Sequence, residues 1–223
     1  MERIPVEKVI RSRRRTTALE VTPAATLVVR APLRASAAFI DEMIRQKSTW
    51  ILRKMEEMKK RPASPCHEYV EGELFLFLGR AYTLHFVDDR SITIKRSDRL
   101  YVSRMLMPDI RKHLKRWCIE EAGKELHARC TWFSLKTGYV PATVSITNAR
   151  QRWGSCTHKG GLNFSWRLIQ APPDIIDYVV VHELVHISQP DHSKQFWAKV
   201  QKILPDYKQR RKWLRENDQL LKI

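Results

Sequence analysis

The sequence predicts an α+β protein, with an antiparallel β-rich N-terminal lobe carrying one helix and a C-terminal lobe of long helices and a small mixed sheet. Three observations predict it. Short alternating stretches bounded by Gly, Pro and polar turns occupy residues 19–30 and 74–102, the pattern of half-buried strands. Apolar residues recur at helical spacing over 36–60 and 108–133. An apolar helical run over 175–187 contains His182, Glu183 and His186, and polar groups in a helix apolar all round need partners. The lobe boundary is placed after residue 104, giving lobes of 1–104 and 105–223.

Arg11, Arg13, Arg14 and Arg15 read first as a solvated strand or turn, and the Arg13-Arg14-Arg15 run as an alternative phosphate contact. Leu19–Val21 and Leu27–Arg30 read as strands around a turn at Thr22-Pro23-Ala24. Ser36 is placed to cap a helix that runs to Lys60, where Lys59-Lys60-Arg61 complements the dipole and Pro62 stops it. Its stripe of Phe39, Ile40, Met43, Ile44, Trp50, Ile51 and Met58 reads as core, and Pro62–Pro65 as a connector. Turns at Glu71-Gly72-Glu73 and Gly79-Arg80 divide Leu74–Leu78 from Tyr82–Val87; Ile92, Ile94 and Leu100–Val102 complete a small antiparallel sheet, in which His85 is structural.

Pro108 opens a helix to about Phe133, with Ile110, Leu114, Trp117, Cys118, Ala122, Leu126 and Cys130 buried. Arg111, Lys112, Lys115 and Arg116 make a basic patch at its start, which suits an anionic partner and at least equally an ordinary exposed face; His113 and His127 are structural. Thr143–Thr147 and Leu162–Trp166 read as a strand pair, and Gly154 between them as a bulge, a turn or a close backbone approach. Pro172-Pro173-Asp174 starts the next helix, Ser193 caps another, and a basic helix spans about 206–220.

The chain of 223 residues can bury a core without disulfides. It holds 41 Lys and Arg against 24 Asp and Glu, a formal net charge of +17. Such a balance suits nucleic acid, nucleotides or acidic polypeptides, and equally a solvated basic surface. Cys66, Cys118, Cys130 and Cys156 form no C-x-x-C pair, which argues against a cysteine metal site and for a reducing compartment. Met1–Pro5 lacks the apolar core of a signal peptide, and no apolar run reaches the roughly 18 residues of a membrane span, so a cytoplasmic protein is expected.

His182-Glu183-Leu184-Val185-His186 is the H-E-x-x-H pattern. Histidines at i and i+4 share a helix face and bind zinc, while the glutamate serves as general base. Pro190 ends the helix, and the turn brings His192 back as a third ligand. Three protein ligands leave the fourth position of a single Zn2+ open for water, which is a catalytic arrangement. Arg150, Arg152, Tyr178 and Arg167 are candidates for binding substrate or the developing oxyanion. The strand pair before the metal helix is where an extended substrate can add as a further strand.

The spacing H-E-x-x-H-x5-H is shared with metzincins, but Gln189 stands where they have glycine, and no methionine follows Met107. Arg152–Cys156, Asn163–Leu168, Ala171-Pro172-Pro173, Tyr178–His186, and His192-Ser193 with Phe196-Trp197 together closely resemble the YgjP-like metallopeptidase family, bacterial relatives of the SprT-like and WLM zincins. The resemblance covers most of the chain and is most specific over 150–200. It implies a zincin-like lobe in which a sheet edge overlies the cleft, the 108–133 helix backs it, zinc sits on His182, His186 and His192, and Glu183 is catalytic. SprT-like relatives act on DNA-bound proteins, which fits the basic charge. The reading is a zinc-dependent peptidase with a polypeptide substrate. The alternatives are a nucleotide phosphoanhydride hydrolase on the same metal site, and a nucleic-acid-binding protein with a structural metal.

Overall fold

The computed structural model describes residues 4–60, 67–89, 91 and 93–221. Cys66, the Pro62–Pro65 connector, Arg61 and Ile92 lie outside the described residues. The chain divides into two compact units, Met1–Pro62 and Ala63–Ile223. The boundary therefore falls some forty residues earlier than the composition suggested. The reason is core membership: Phe75, Leu84 and Val102 from the strands share one core with Leu114 and Cys118 of the long helix.

In the first unit, strand β3 (Leu27–Pro32) lies between β1 (Val6–Ser12) and β2 (Ala18–Val21). The β2 pairing is antiparallel, but the β1 pairing is parallel, which corrects the all-antiparallel expectation. Alternation does not distinguish the two, because side chains change faces every residue in either arrangement. Leu27, Val29 and Ala31 point to one face and pack with Ile40, Ile51 and Met55. The single helix expected over 36–60 is two: α1 (Ala37–Gln46), capped by the Ser36 side chain, and α2 (Ser48–Lys59). Lys47, at φ −101° and ψ 9°, is the break. Phe39 and Trp50, expected in the buried stripe, are exposed.

The second unit begins with a four-stranded sheet of β4 (Leu74–Phe77), β5 (Arg80–Val87), β6 (Ile94–Arg96) and β7 (Leu100–Ser103), in the order β4-β5-β7-β6. It too is mixed, since β5 and β7 run parallel. His85 pairs with Glu71 at 2.6 Å. The β4–β5 turn is tight, with positive φ at Leu78 (48°) and Gly79 (73°), as a two-residue hairpin requires. Its amides bond the carbonyls of Ile169 (2.7 Å) and Gln170 (3.0 Å), docking the hairpin against the segment that leads into the helix carrying His182 and His186.

A 3-10 turn (Arg104–Asp109) leads into α3 (Ile110–Thr137). Leu114, Cys118, Ala122, Leu126 and Cys130 bury one face at every fourth residue. Next come β8 (Thr143–Thr147), β9 (Gly154–Cys156) and β10 (Gly161–Ser165), ordered β8-β10-β9. The expected strand pair is a parallel one, with β9 added antiparallel at the edge. Trp166, expected in the last strand, starts a second 3-10 turn (Trp166–Gln170).

Helix α4 (Pro173–His186) is buried almost all round; α5 (Lys194–Ile203) and α6 (Tyr207–Asn217) follow. Arg129 of α3 pairs with Asp177 and donates to the Pro173 carbonyl at 3.1 Å. Arg210 of α6 donates to the Asp174 carbonyl at 2.9 Å. Two helices thus tie down the first turn of α4, and its far end carries the histidines. Among the described residues, no helix is long and apolar enough to cross a membrane.

Candidate metal centre

His182 and His186 lie one turn apart near the end of α4, with ring centroids 4.9 Å apart. The helix ends at His186, and Ser193 caps α5 by accepting from the Phe196 amide. The intervening turn is held by Asp191, which accepts from the Gln189 side chain at 2.7 Å and the Ser193 amide at 3.3 Å. It returns His192 so that its Nε2 lies 3.0 Å from Nε2 of His182. One ligand atom from each of the three histidines falls within 4.8 Å of the others, and among the described residues this is the group suited to a metal ion.

The surroundings keep these rings in a form that can accept a metal. Nδ1 of His186 lies 3.0 Å from the Gln189 carbonyl. A proton donated there leaves Nε2 as the ligand, the usual supporting contact for a metal-bound imidazole. Burial, followed by the neighbouring His186 and His192, pushes the pKa of His182 down to about 3, so its imidazole stays neutral. Burial and His186 lower His192 as well. Neutral imidazole is the form that binds metal. Phe196, fully buried, sits under the trio with its centroid 4.5–4.9 Å from each ring. Trp197 stacks on His192 at 5.7 Å and on Tyr207 at 5.4 Å, and the Arg211 guanidinium lies 4.6 Å above the Trp197 ring.

Glu183 is 6% exposed. Burial raises its carboxyl to about 7, against the opposing pull of Arg152. Its side chain lies against the backbone of β9: a Cβ built on Gly154 would be 2.6 Å from both Cγ and Oε1 of Glu183. Gly154, Cys156, Glu183 and the three histidines all line one cleft of about 780 Å³. β9 is an edge strand, so its outer side is free to pair among the described strands.

Of the remaining candidates, Tyr178 lies one turn before His182, with centroids 5.9 Å apart, and burial raises its phenol to about 12. Arg152 is exposed beside Trp153 and Gly154. Arg150 and Arg167 are elsewhere, lining a different pocket that shares no residue with the cleft. Arg167 is 3% exposed and donates to Asn148 Oδ1 at 3.0 Å. Sequence reading did not single out Arg211, whose charge bears on His182 and His192; nothing local marks it. Gly154 did carry a signal, as a glycine within strand-like sequence.

A family model described as YgjP-like, metallopeptidase domain, matches residues 15–217. Among solved structures, the metallopeptidase zymogen of Pyrococcus abyssi abylysin matches with 22% identity and a TM-score of 0.37, covering 41% of this chain and 97% of that one. No curated protein matches.

Proposed function

The chain belongs to the YgjP-like metallopeptidase family, and we propose that it is a zinc-dependent peptidase with one Zn2+ on His182, His186 and His192, and Glu183 as its proton-transfer group. The observation that carries this reading is the convergence of three imidazoles beside a buried carboxyl in one open cleft. Three nitrogen donors with no thiolate fit a tetrahedral zinc that keeps one position open. When bound there, zinc polarises a carbonyl and makes water acidic enough to yield hydroxide near neutral pH.

The rest is supplied by the chain. Glu183 takes the proton from the attacking water and passes it to the leaving amine. Gly154 leaves room for its carboxylate against β9. The free edge of β9 offers backbone groups to an extended polypeptide, which aligns a peptide bond over the histidines. Tyr178 beside His182, Arg152 acting on Glu183 and Arg211 acting on His182 are the groups placed to assist substrate or oxyanion. The +17 charge supports substrates associated with nucleic acid.

The test is to incubate zinc-loaded protein with unfolded polypeptide, with and without DNA, and separately with nucleoside triphosphates. Peptide cleavage that is lost in Glu183→Gln is expected. Hydrolysis of nucleotide alone, lost in the same variant, would replace the peptidase reading with the phosphoanhydride one.

A further inference from the structure

The second pocket, of about 510 Å³, lies at the start of α3. That volume is in the range of small-ligand sites, roughly 300–1,000 Å³. Its floor includes the buried rings of Phe75 and Trp166. Its walls carry five cations, Arg111, Lys112, Lys115, Arg150 and Arg167, against one carboxylate, Asp109.

Four of these cations, Arg111, Lys112, Lys115 and Arg150, are exposed, and Arg167 is buried against Asn148. Arg111 and Lys112 sit in the first turn of a 28-residue helix, where the dipole disfavours positive charge, and no acidic residue is in that turn. Asp109 makes no capping hydrogen bond. Arg167 is almost wholly buried, yet Arg150 is close enough to act with burial in lowering its pKa. Among the described residues, Arg111, Lys112, Lys115 and Arg150 form no ion pair, whereas Arg116 on the same helix pairs with Glu120 at 3.0 Å. The basic patch at the start of α3 thus divides into a solvated ion pair and a set turned into a pocket.

We infer that this pocket is a binding site, separate from the metal cleft, for a compact polyphosphate group. Five cations and one carboxylate leave a formal excess of four positive charges inside a small concavity. A di- or triphosphate concentrates a comparable negative charge within one such volume. An acidic peptide spreads its charges over about 3.3 Å per residue of extended chain, and a nucleic-acid strand along its backbone. Arginine forks pair with phosphate oxygens in two places at once, which suits Arg111 and Arg150.

Isothermal titration with orthophosphate, pyrophosphate, tripolyphosphate and a single-stranded 20-mer DNA tests this, each against wild type, the double variant Arg111→Ala/Lys115→Ala, Arg150→Ala and His186→Ala. Both altered α3 residues are exposed, so folding is retained and is checked by melting. Tripolyphosphate is expected to bind one per chain and more tightly than orthophosphate. Each lost charge-assisted contact should weaken it about tenfold or more, and His186→Ala should leave it unchanged. Binding abolished by His186→Ala but not by the double variant would place the ligand in the metal cleft and overturn the proposal. So would DNA that binds more tightly than tripolyphosphate and is lost with the same variants, or no binding of tripolyphosphate. None of these outcomes bears on peptide hydrolysis at the histidines.

Discussion

Gly154 and Glu183 are in direct apposition: a Cβ on Gly154 would come within 2.6 Å of Oε1 and Cγ of the glutamate. The clash is with the far end of a side chain rather than with backbone. Gly154 also lacks the positive φ that would itself forbid alanine.

Gly154→Ala is therefore expected to fold with little loss of stability while pushing the Glu183 carboxylate out of place. A displacement of this order in the proposed proton-transfer group is expected to cost about 100-fold in rate. Peptidase assays should show that loss in kcat, with zinc content by metal analysis close to that of wild type. Unchanged kcat would show that the apposition has no role in positioning Glu183.

Burial of Glu183 has a measurable cost in the metal-free protein. Its folded pKa, about 7, lies above the ordinary 4.5. Between those values the folded state binds more protons than the unfolded one, so stability falls as pH rises from 4.5 toward 7 and then levels off. Glu183→Gln removes the titration and keeps the shape. Its stability advantage should grow across that window, to at most about 3 kcal/mol. Urea denaturation with chelator, at pH 4.5 to 8, measures the difference; a constant offset would refute the linkage.

His192 is exposed and lies outside α4. His192→Ala should change the stability of the metal-free protein by less than about 1 kcal/mol. Retention of zinc against a competing chelator should fall sharply, because two nitrogen ligands replace three. Wild-type retention would mean that His192 is not a ligand.

Gly79 differs from Gly154 in what it faces. Its φ is 73°, and a Cβ there would lie 2.8 Å from the backbone Cα of Pro172. Neither the backbone nor the proline ring gives way cheaply. Gly79→Ala should cost about 1–3 kcal/mol in chemical denaturation. Because Pro172 directly precedes α4, zinc affinity should weaken with it, through the position of the helix rather than through any ligand.

His182, Glu183, His186 and the proline stop after them could be read from the sequence because helix geometry is local: i and i+4 share a face wherever the helix goes. The same holds for the Ser36 and Ser193 caps and for the buried stripe of α3. Most strand positions were legible from alternation, though β9 was not and β1 was left as strand or turn; partners were not legible, and β1–β3, β5–β7 and β8–β10 proved parallel. The break at Lys47 was hidden because the apolar spacing continues through it.

Only the tertiary structure separated the four candidates around α4. It put Tyr178 and Arg152 near His182 and Glu183, and Arg150 and Arg167 in another pocket. It also set Gly154 against Glu183, across 29 positions of chain. The sequence by itself determined which atoms are available to hold a metal, since backbone geometry over one or two turns dictates their spacing. Which side chains meet them across the cleft was decided by packing between distant segments, and no local period records that.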